Sequence, residues 1–132
     1  MKRLFLSGAL FGLLLSLSLA GPAAAQDFGA LATNPQGAWG WSGKYGTVDE
    51  AQDRALDECK KHGQNCRLLR VFQDACVAVA RNEVRGKAII AWVAGGERRE
   101  RVRRSLRDCR NEGGADCQLL KEFCTGRYND IE

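Results

Sequence analysis

The chain has 132 residues, a formal net charge of +4 and 27% charged residues, with 20 basic and 16 acidic side chains. This length indicates one domain with a modest core. The small net charge excludes the strongly basic balance of a nucleic-acid-binding domain, so we expect no nucleic acid among the partners.

The amino-terminal segment has the three parts of a secretory signal peptide. Lys2 and Arg3 precede an uncharged apolar run (4–20), and small residues follow it up to Ala25. A basic start, an apolar middle and an A-x-A end are typical of such peptides. We predict cleavage near Ala25. This leaves 26–132 as a single exported domain, periplasmic or extracellular, with a net charge of +2 and no membrane span.

Two segments of the exported part resemble each other and predict an internal repeat. The first unit covers about 28–73 and the second about 76–124. "FGALATN" resembles "CVAVARN", and "ALDECKKHGQNCRLLRVF" resembles "SLRDCRNEGGADCQLLKEF". Because a repeat constrains fold and disulfide bonding together, we expect each unit to fold in the same order.

The first unit begins with two predicted strands. Small residues alternate from residue 28, the NPQG segment (34–37) has the composition of a tight turn, and a second strand carries Trp39 and Trp41. Both indoles point to the same side of that strand. With Tyr45 and the neighbouring glycines they either form an exposed stacking platform or fill the core. We favour at least one Trp in the core, because large aromatic side chains dominate small cores.

A helix over 47–62 is predicted to follow. Thr47 and Glu50 have the spacing of a capping box, and Gly63 suits the left-handed position that ends a helix. The apolar stripe of this helix is predicted to contain Ala51, Ala55, Leu56 and Cys59. The unit then ends with a strand over 66–72.

The second unit has the same predicted order. A strand at 76–82 and the AIIAWVA segment (88–94) precede a helix over about 97–112, and the last strand covers 117–124. We expect this helix to bury Val102, Leu106 and Cys109. The predicted fold class is α+β: two β-β-α-β repeats forming one mostly antiparallel sheet, with two helices on one face and three disulfides.

The cysteines predict disulfides and not a metal or redox site. All six lie in the exported part, and an even number in an oxidising compartment indicates three bonds. Their spacing lacks the C-x₂₋₄-C pairs of zinc sites and the C-x-x-C of redox sites, so we expect no metal and no cofactor. Equivalent bonding in the two units gives the pairs Cys59–Cys66, Cys109–Cys117 and Cys76–Cys124.

These residues resemble a known family over about 28–124. The A-L-x-x-C and S-L-x-x-C helix ends, a second cysteine after six or seven intervening residues and the A-C-x-A-x-A strand look like the bacterial exported family catalogued as domain of unknown function 4189. Arg101 and Ser105 replace the small helix residues that the family pattern prefers. The resemblance implies export and disulfide bonding, and it supplies no activity.

The sequence contains no recognisable catalytic constellation. His62 is the single histidine, and it lies at a helix end, where a cation satisfies the helix dipole. Adjacent carboxylates such as Asp57 and Glu58 point in different directions. We therefore predict that the protein is not an enzyme. One alternative is an envelope hydrolase of unfamiliar design that uses His62 with nearby acids; another is a purely structural, stress-resistant envelope protein.

Seven arginines occur within 97–112, where four acids reduce the net charge to +3. They either capture an anion, form a solvated face with paired acids, or attract the first helix, whose net charge is −2. We favour the last two interpretations.

The candidate binding residues are Trp39, Trp41, Tyr45, Arg103, Arg104 and Arg107. The predicted function is an inhibitor, adaptor or accessory module that binds an envelope protein or anionic polymer, with an unknown oligomeric state.

Overall fold

A computed structural model describes residues 27–84 and 86–126. The predicted signal peptide (1–25) and residues 127–132 lie outside that part of the chain. Within it, no helix is both long enough and apolar enough to cross a membrane. The elements in chain order are β1 (Phe28–Thr33), β2 (Trp39–Tyr45), α1 (Val48–Lys60), β3 (Arg67–Gln73), β4 (Cys76–Val84), β5 (Lys87–Ala94), α2 (Arg98–Asn111) and β6 (Gln118–Cys124).

The strands form two antiparallel three-stranded sheets, and the prediction of a single sheet is wrong. Sheet A has the strand order β2-β1-β3, and sheet B has the order β5-β4-β6. In each sheet the central strand pairs with the next strand of the chain and with the strand that follows the helix. The two halves therefore share the order β-β-α-β within an α+β fold. The repeat itself stays a prediction.

Small and large apolar side chains alternate along the central strands, and this alternation explains why two sheets form. In β1, Ala30 and Ala32 contact α1, whereas Leu31 between them belongs to the cluster that joins the two sheets. In β4, Ala80 packs with α2, while Val79 faces the other sheet. Small side chains admit a helix and large ones fill the space between sheets. The layers are α1, sheet A, sheet B and α2.

The helices lie on opposite outer faces, which corrects the prediction of two helices on one face. α1 packs on the strands of sheet A, and α2 packs on the strands of sheet B. One flat sheet with both helices on the same face would leave its aromatic face uncovered, and burial of that apolar area favours the sandwich. The predicted charge attraction between the helices is wrong for the same reason, because two sheets separate them.

Aromatic rings fill the space between the sheets. Phe72 of β3 packs edge-on against Trp92 of β5, with ring centroids 5.2 Å apart. Phe123 of β6 lies 5.0 Å from Trp41 of β2 and 5.9 Å from Phe72. Trp39, Trp41 and Trp92 are all half-buried against this core. The indoles therefore contribute to the core without being enclosed by it.

α1 begins at the predicted N-cap, Thr47, and shows one of the two hydrogen bonds of a capping box. The Thr47 hydroxyl oxygen accepts a hydrogen bond from the Glu50 amide at 3.2 Å, and the hydroxyl lies 3.0 Å from the Glu50 carboxylate, to which it donates. The helix buries Ala51, Ala55 and Cys59. The Thr47 cap and the buried small residues confirm the predicted start and inner face of this helix. Leu56, also predicted on that face, is half-buried against the same cluster.

α2 uses a different set of buried residues from the predicted one. It buries Arg101, Ser105 and Cys109. Val102 and Leu106 are only half-buried, so neither is buried as predicted, although Leu106 still packs against the cluster under α2. The Arg101 guanidinium donates to the Gly96 carbonyl at 2.7 Å and lies 3.8 Å from the Glu122 carboxylate. These partners compensate the charge of an arginine at a buried helix position.

The three disulfides join the pairs expected from the repeat. Cys59–Cys66 and Cys109–Cys117 each connect a helix to the strand that follows it, with Cα atoms 6.1 Å apart in both. Cys76–Cys124 joins β4 and β6, where the two residues are directly opposite. Each helix is thus tied covalently to the sheet on which it packs.

Candidate functional site

Among residues 27–84 and 86–126, β2 is an edge strand: one side of its backbone has no partner strand in sheet A. At the turn, the backbone amide of Asn34 donates to the Ala38 carbonyl at 3.0 Å, so these two residues form a hydrogen-bonded pair. From there β2 pairs with β1 residue by residue, without a break, as far as the pair Ala30–Ser42. Hydrogen-bonded and non-hydrogen-bonded pairs alternate along an antiparallel ladder. The backbone N–H and C=O groups of Trp39 and Trp41 therefore point away from β1, toward the free edge.

A groove of about 380 Å³ follows this edge between β2 and α1. We call it the β2 groove. β2 contributes residues 39–43 and Tyr45, and the helix side contributes Arg54, Glu58 and His62. The three helix-side residues are spaced by four, so they form one stripe. One wall is thus a strand edge and the other is a stripe of ionisable side chains.

A glycine and a serine set the distance between the two walls. A Cβ atom at Gly40 would lie 2.3 Å from both the Ala55 carbonyl oxygen and the Cys59 amide nitrogen, so a larger residue would push α1 away. The buried Ser42 hydroxyl donates to the Ala51 carbonyl at 2.5 Å. Gly40 and Ser42 therefore face the helix, and the Trp39 and Trp41 rings face the other sheet. Tyr45 lies beyond a register shift and packs instead on the α1 side.

The helix wall carries a carboxylate between cations. Glu58 pairs with Arg54 at 2.6 Å and with Lys61 at 2.7 Å. The hydrogen bond from Lys61 lowers the pKa of Glu58 below its ordinary value. The charges of Arg54, Lys61 and His62 lower it as well, whereas partial desolvation of the carboxylate raises it by less. Glu58 is therefore ionised at neutral pH.

The far side of β2 borders β6 of the other sheet. The Lys121 ammonium lies 4.7 Å from the centre of the Trp41 ring. A cavity of about 240 Å³ between the two strands is lined by Trp41, Gly43, Lys44 and residues 121–124. Because Trp41 and Gly43 also line the β2 groove, the surface continues from α1 across β2 to β6.

The structure brings three of the six predicted binding residues together. Trp39, Trp41 and Tyr45 line the β2 groove, together with His62 of the alternative enzyme hypothesis. The other three predicted residues are exposed on α2, on the opposite outer face: Arg103, Arg104 and Arg107. The aromatic group and the three arginines therefore do not line one groove.

Sequence reasoning missed Arg54 and Glu58 as site residues. Their four-residue spacing with His62 is the available signal, since it predicts one helix stripe. The signal does not say what the stripe faces. That depends on Gly40, which lets α1 lie against the edge strand.

The groove does not provide the ligands of a metal centre. Its lining includes one histidine and one carboxylate, whereas a structural zinc site takes four protein ligands. Elsewhere in the described part of the chain, no group of three or more His, Cys, Asp or Glu side chains could hold a metal ion.

The limits of the fold coincide with those of a known family. The family model described as Domain of unknown function (DUF4189) matches residues 28–124, from the first residue of β1 to the last residue of β6. The chain belongs to this family. Neither a curated protein nor a solved structure matches it. The match confirms the resemblance found in the sequence, and the β2 groove lies wholly inside the DUF4189 domain. Because that description assigns no activity, the groove itself is the basis for a function.

Proposed function

We propose that the protein is an exported, non-catalytic module that binds an extended segment of an envelope protein along β2. The single observation that carries this proposal is the β2 groove, where an unpaired strand edge faces a stripe of ionisable side chains. A peptide that adds a strand to a sheet edge gains backbone hydrogen bonds for affinity and uses flanking pockets for specificity.

The two sides of β2 suggest what such a segment contains. Successive side chains of an added strand point to opposite faces of the sheet. One set of alternate side chains would face Arg54, Glu58 and His62, and the other would face the Trp41 ring and Lys121. We therefore expect a segment that alternates charged or polar residues with apolar or aromatic ones.

Export is supported by the disulfides together with the predicted signal peptide. Three bonds in a domain of this size are typical of oxidising compartments, where small domains depend on them. A partner protein would then be another exported or envelope protein.

A peptide selection tests the proposal. Random dodecapeptides displayed on phage are panned against the oxidised protein, and the affinity of selected synthetic peptides is measured by calorimetry. The variant Arg54→Glu/Glu58→Arg exchanges the partners of the ion pair and reverses the charge order of the helix wall. We expect it to weaken binding about tenfold or more.

The matched control is Arg104→Glu on the opposite outer face, which should leave the affinity unchanged. Failure to select any peptide, or equal losses in both variants, would contradict peptide binding at β2. The first of these results would favour the purely structural alternative.

One observation favours a second candidate function, the envelope hydrolase. His62 lies in the same groove as Glu58 and Tyr45, so an imidazole, a carboxylate and an aromatic ring line one site. The protein is incubated with peptidoglycan and with casein, and released products are measured by mass spectrometry. Products that disappear with His62→Ala would support the enzyme and contradict the non-catalytic module.

A further inference from the structure

A second groove lies between α2 and β6, on the outer face of sheet B. Its volume is about 430 Å³. We call it the α2 groove. It is lined by the aliphatic side chains of Val102, Leu106 and Leu119 and by the charged side chains of Arg98, Arg99, Arg103 and Glu122. Leu119 is 40% exposed, so the apolar lining is accessible from solvent.

The corresponding position in the first half is more covered. Leu68 of β3 stands opposite the central strand as Leu119 of β6 does, but Leu68 packs against the cluster under α1. α1 places the small Ala51 on its sheet, whereas α2 places the much longer Arg101 there. α2 accordingly packs less closely on sheet B than α1 does on sheet A. The extra space is the α2 groove.

The charged rim of this groove is positive. Its lining contains three arginines and one glutamate, and that glutamate, Glu122, already pairs with Arg98 at 2.9 Å. Arg103 pairs with Glu100 of the same helix, so an anion bound there would share this guanidinium with Glu100. Arg99 and Arg103 are four residues apart and therefore lie on the same edge of the helix. Guanidinium groups bind carboxylate and phosphate groups with charge-assisted, often bidentate hydrogen bonds.

We propose that the α2 groove binds a single alkyl or acyl chain that ends in an anionic head group. The chain lies against Val102, Leu106 and Leu119, and the carboxylate or phosphate head lies at Arg99 and Arg103. From Arg99 to Leu106 the helix advances about 10 Å, the length of a medium alkyl chain, at about 1.5 Å per residue. This site is separate from the β2 groove and goes beyond the proposed peptide binding.

The size of the groove and the sequence of α2 favour one monomeric amphiphile over a membrane surface. The volume of about 430 Å³ suits a single chain lying along an open groove. Helices that bind a bilayer insert bulky apolar side chains such as Trp or Phe, and the sequence of α2 contains neither.

A titration with single-chain amphiphiles tests the proposal. Dodecyl phosphate and dodecanoate are added below their critical micelle concentrations to the oxidised protein with ¹³C-labelled methyl groups. We expect saturable shifts of the Val102, Leu106 and Leu119 methyl resonances for both anions. Dodecanol should bind about tenfold more weakly or worse, and inorganic phosphate alone should leave the methyl resonances in place.

Two variants identify the groups that bind. Arg99→Glu/Arg103→Glu should weaken dodecyl phosphate binding about tenfold or more. Leu119→Gln should also weaken binding, and because Leu119 is exposed this substitution does not endanger folding. The matched control is Arg104→Glu/Arg107→Glu, which makes the same charge change outside the groove and should alter the affinity by less than about threefold.

Three results would overturn the proposal: an equal loss in the control variant, equal affinity for dodecanol, or binding only to vesicles of anionic phospholipid and not to monomers. Peptides selected at the β2 groove should bind the Arg99→Glu/Arg103→Glu variant normally. Failure of one proposal is therefore distinguishable from failure of the other.

Discussion

At Gly40 the backbone of β2 touches the backbone of α1. A methyl group there would meet the Ala55 carbonyl and the Cys59 amide, neither of which is a flexible side-chain end. We expect Gly40→Ala to lower the free energy of unfolding by about 1–3 kcal/mol, because α1 must move away from the sheet. Guanidinium chloride unfolding measures the loss.

The comparison variant is Gly43→Ala in the same strand. A methyl group there would lie 3.3 Å from the Cys124 carbonyl oxygen and would meet no atom of α1. Its effect should stay below about 1 kcal/mol. Equal losses in the two variants would mean that Gly40 does not set the position of the helix.

Glu58 makes stability depend on pH in a defined direction. Its pKa is lowered in the folded protein, chiefly by the hydrogen bond from Lys61. Its contribution is therefore present above the unfolded pKa of about 4.3 and is lost as the pH falls through the lower folded value. Glu58→Gln should be less stable than the wild type at neutral pH, and the difference should shrink in acid. A difference that is constant with pH would contradict this role of the ion pairs.

Arg101 marks the limit of residue-level prediction. Helical periodicity favours Val102 and Leu106 as the buried residues of α2, because apolar side chains usually face the core. The helix instead turns Arg101 inward, where the guanidinium donates a hydrogen bond to the Gly96 carbonyl and lies near the Glu122 carboxylate. Partners that lie outside the helix in the sequence decide this orientation, and periodicity within the helix cannot reveal them.

The individual elements follow closely from local sequence signals. The N-cap at Thr47 and the strand after each second cysteine are found where the sequence predicts them, with ends that differ by one or two residues. The order in which helices and sheets stack as layers does not follow from the same signals. Alternation of alanine with leucine or valine predicts that both faces of a strand are buried, but it does not say which partner covers each face.

The disulfides differ in the length of chain that they close. Cys76–Cys124 spans 48 residues, whereas Cys59–Cys66 spans 7. If each bond acts by restricting the unfolded chain, the two bonds contribute about 4 and about 2.5 kcal/mol, respectively, to the free energy of unfolding. We expect Cys76→Ala/Cys124→Ala to be the more destabilising pair of substitutions in denaturant unfolding. A larger loss for Cys59→Ala/Cys66→Ala would show that local packing outweighs loop closure.

For the whole molecule, the sandwich places three cavities along one side. The β2 groove and the cavity between β2 and β6 share Trp41 and Gly43, and that cavity shares Glu122 with the α2 groove. The aromatic part of the candidate site is predictable from the sequence, because Trp39, Trp41 and Tyr45 lie on one strand. The helix wall and the α2 groove are not, because they depend on how far each helix lies from its sheet.

The layer order predicts that the two helices are electrostatically independent. Asp57→Lys on α1 and Arg107→Glu on α2 reverse exposed charges on opposite outer faces. In a double-mutant cycle at low salt, the coupling energy should stay below about 0.5 kcal/mol, as for distant sites. A clearly larger coupling would mean that the helices lie side by side and that the layer order is wrong.

Amide hydrogen exchange in β2 tests the central claim, that this strand is a free edge that pairs with an incoming segment. Exchange is measured by NMR without peptide and with a saturating selected peptide. The Gly40 and Ser42 amides face β1 and should be protected from exchange in both states. The Trp41 amide should exchange freely without peptide, and its exchange rate should fall about tenfold or more when the peptide is bound. An unchanged Trp41 amide at saturation, with protection elsewhere, would contradict strand addition at β2.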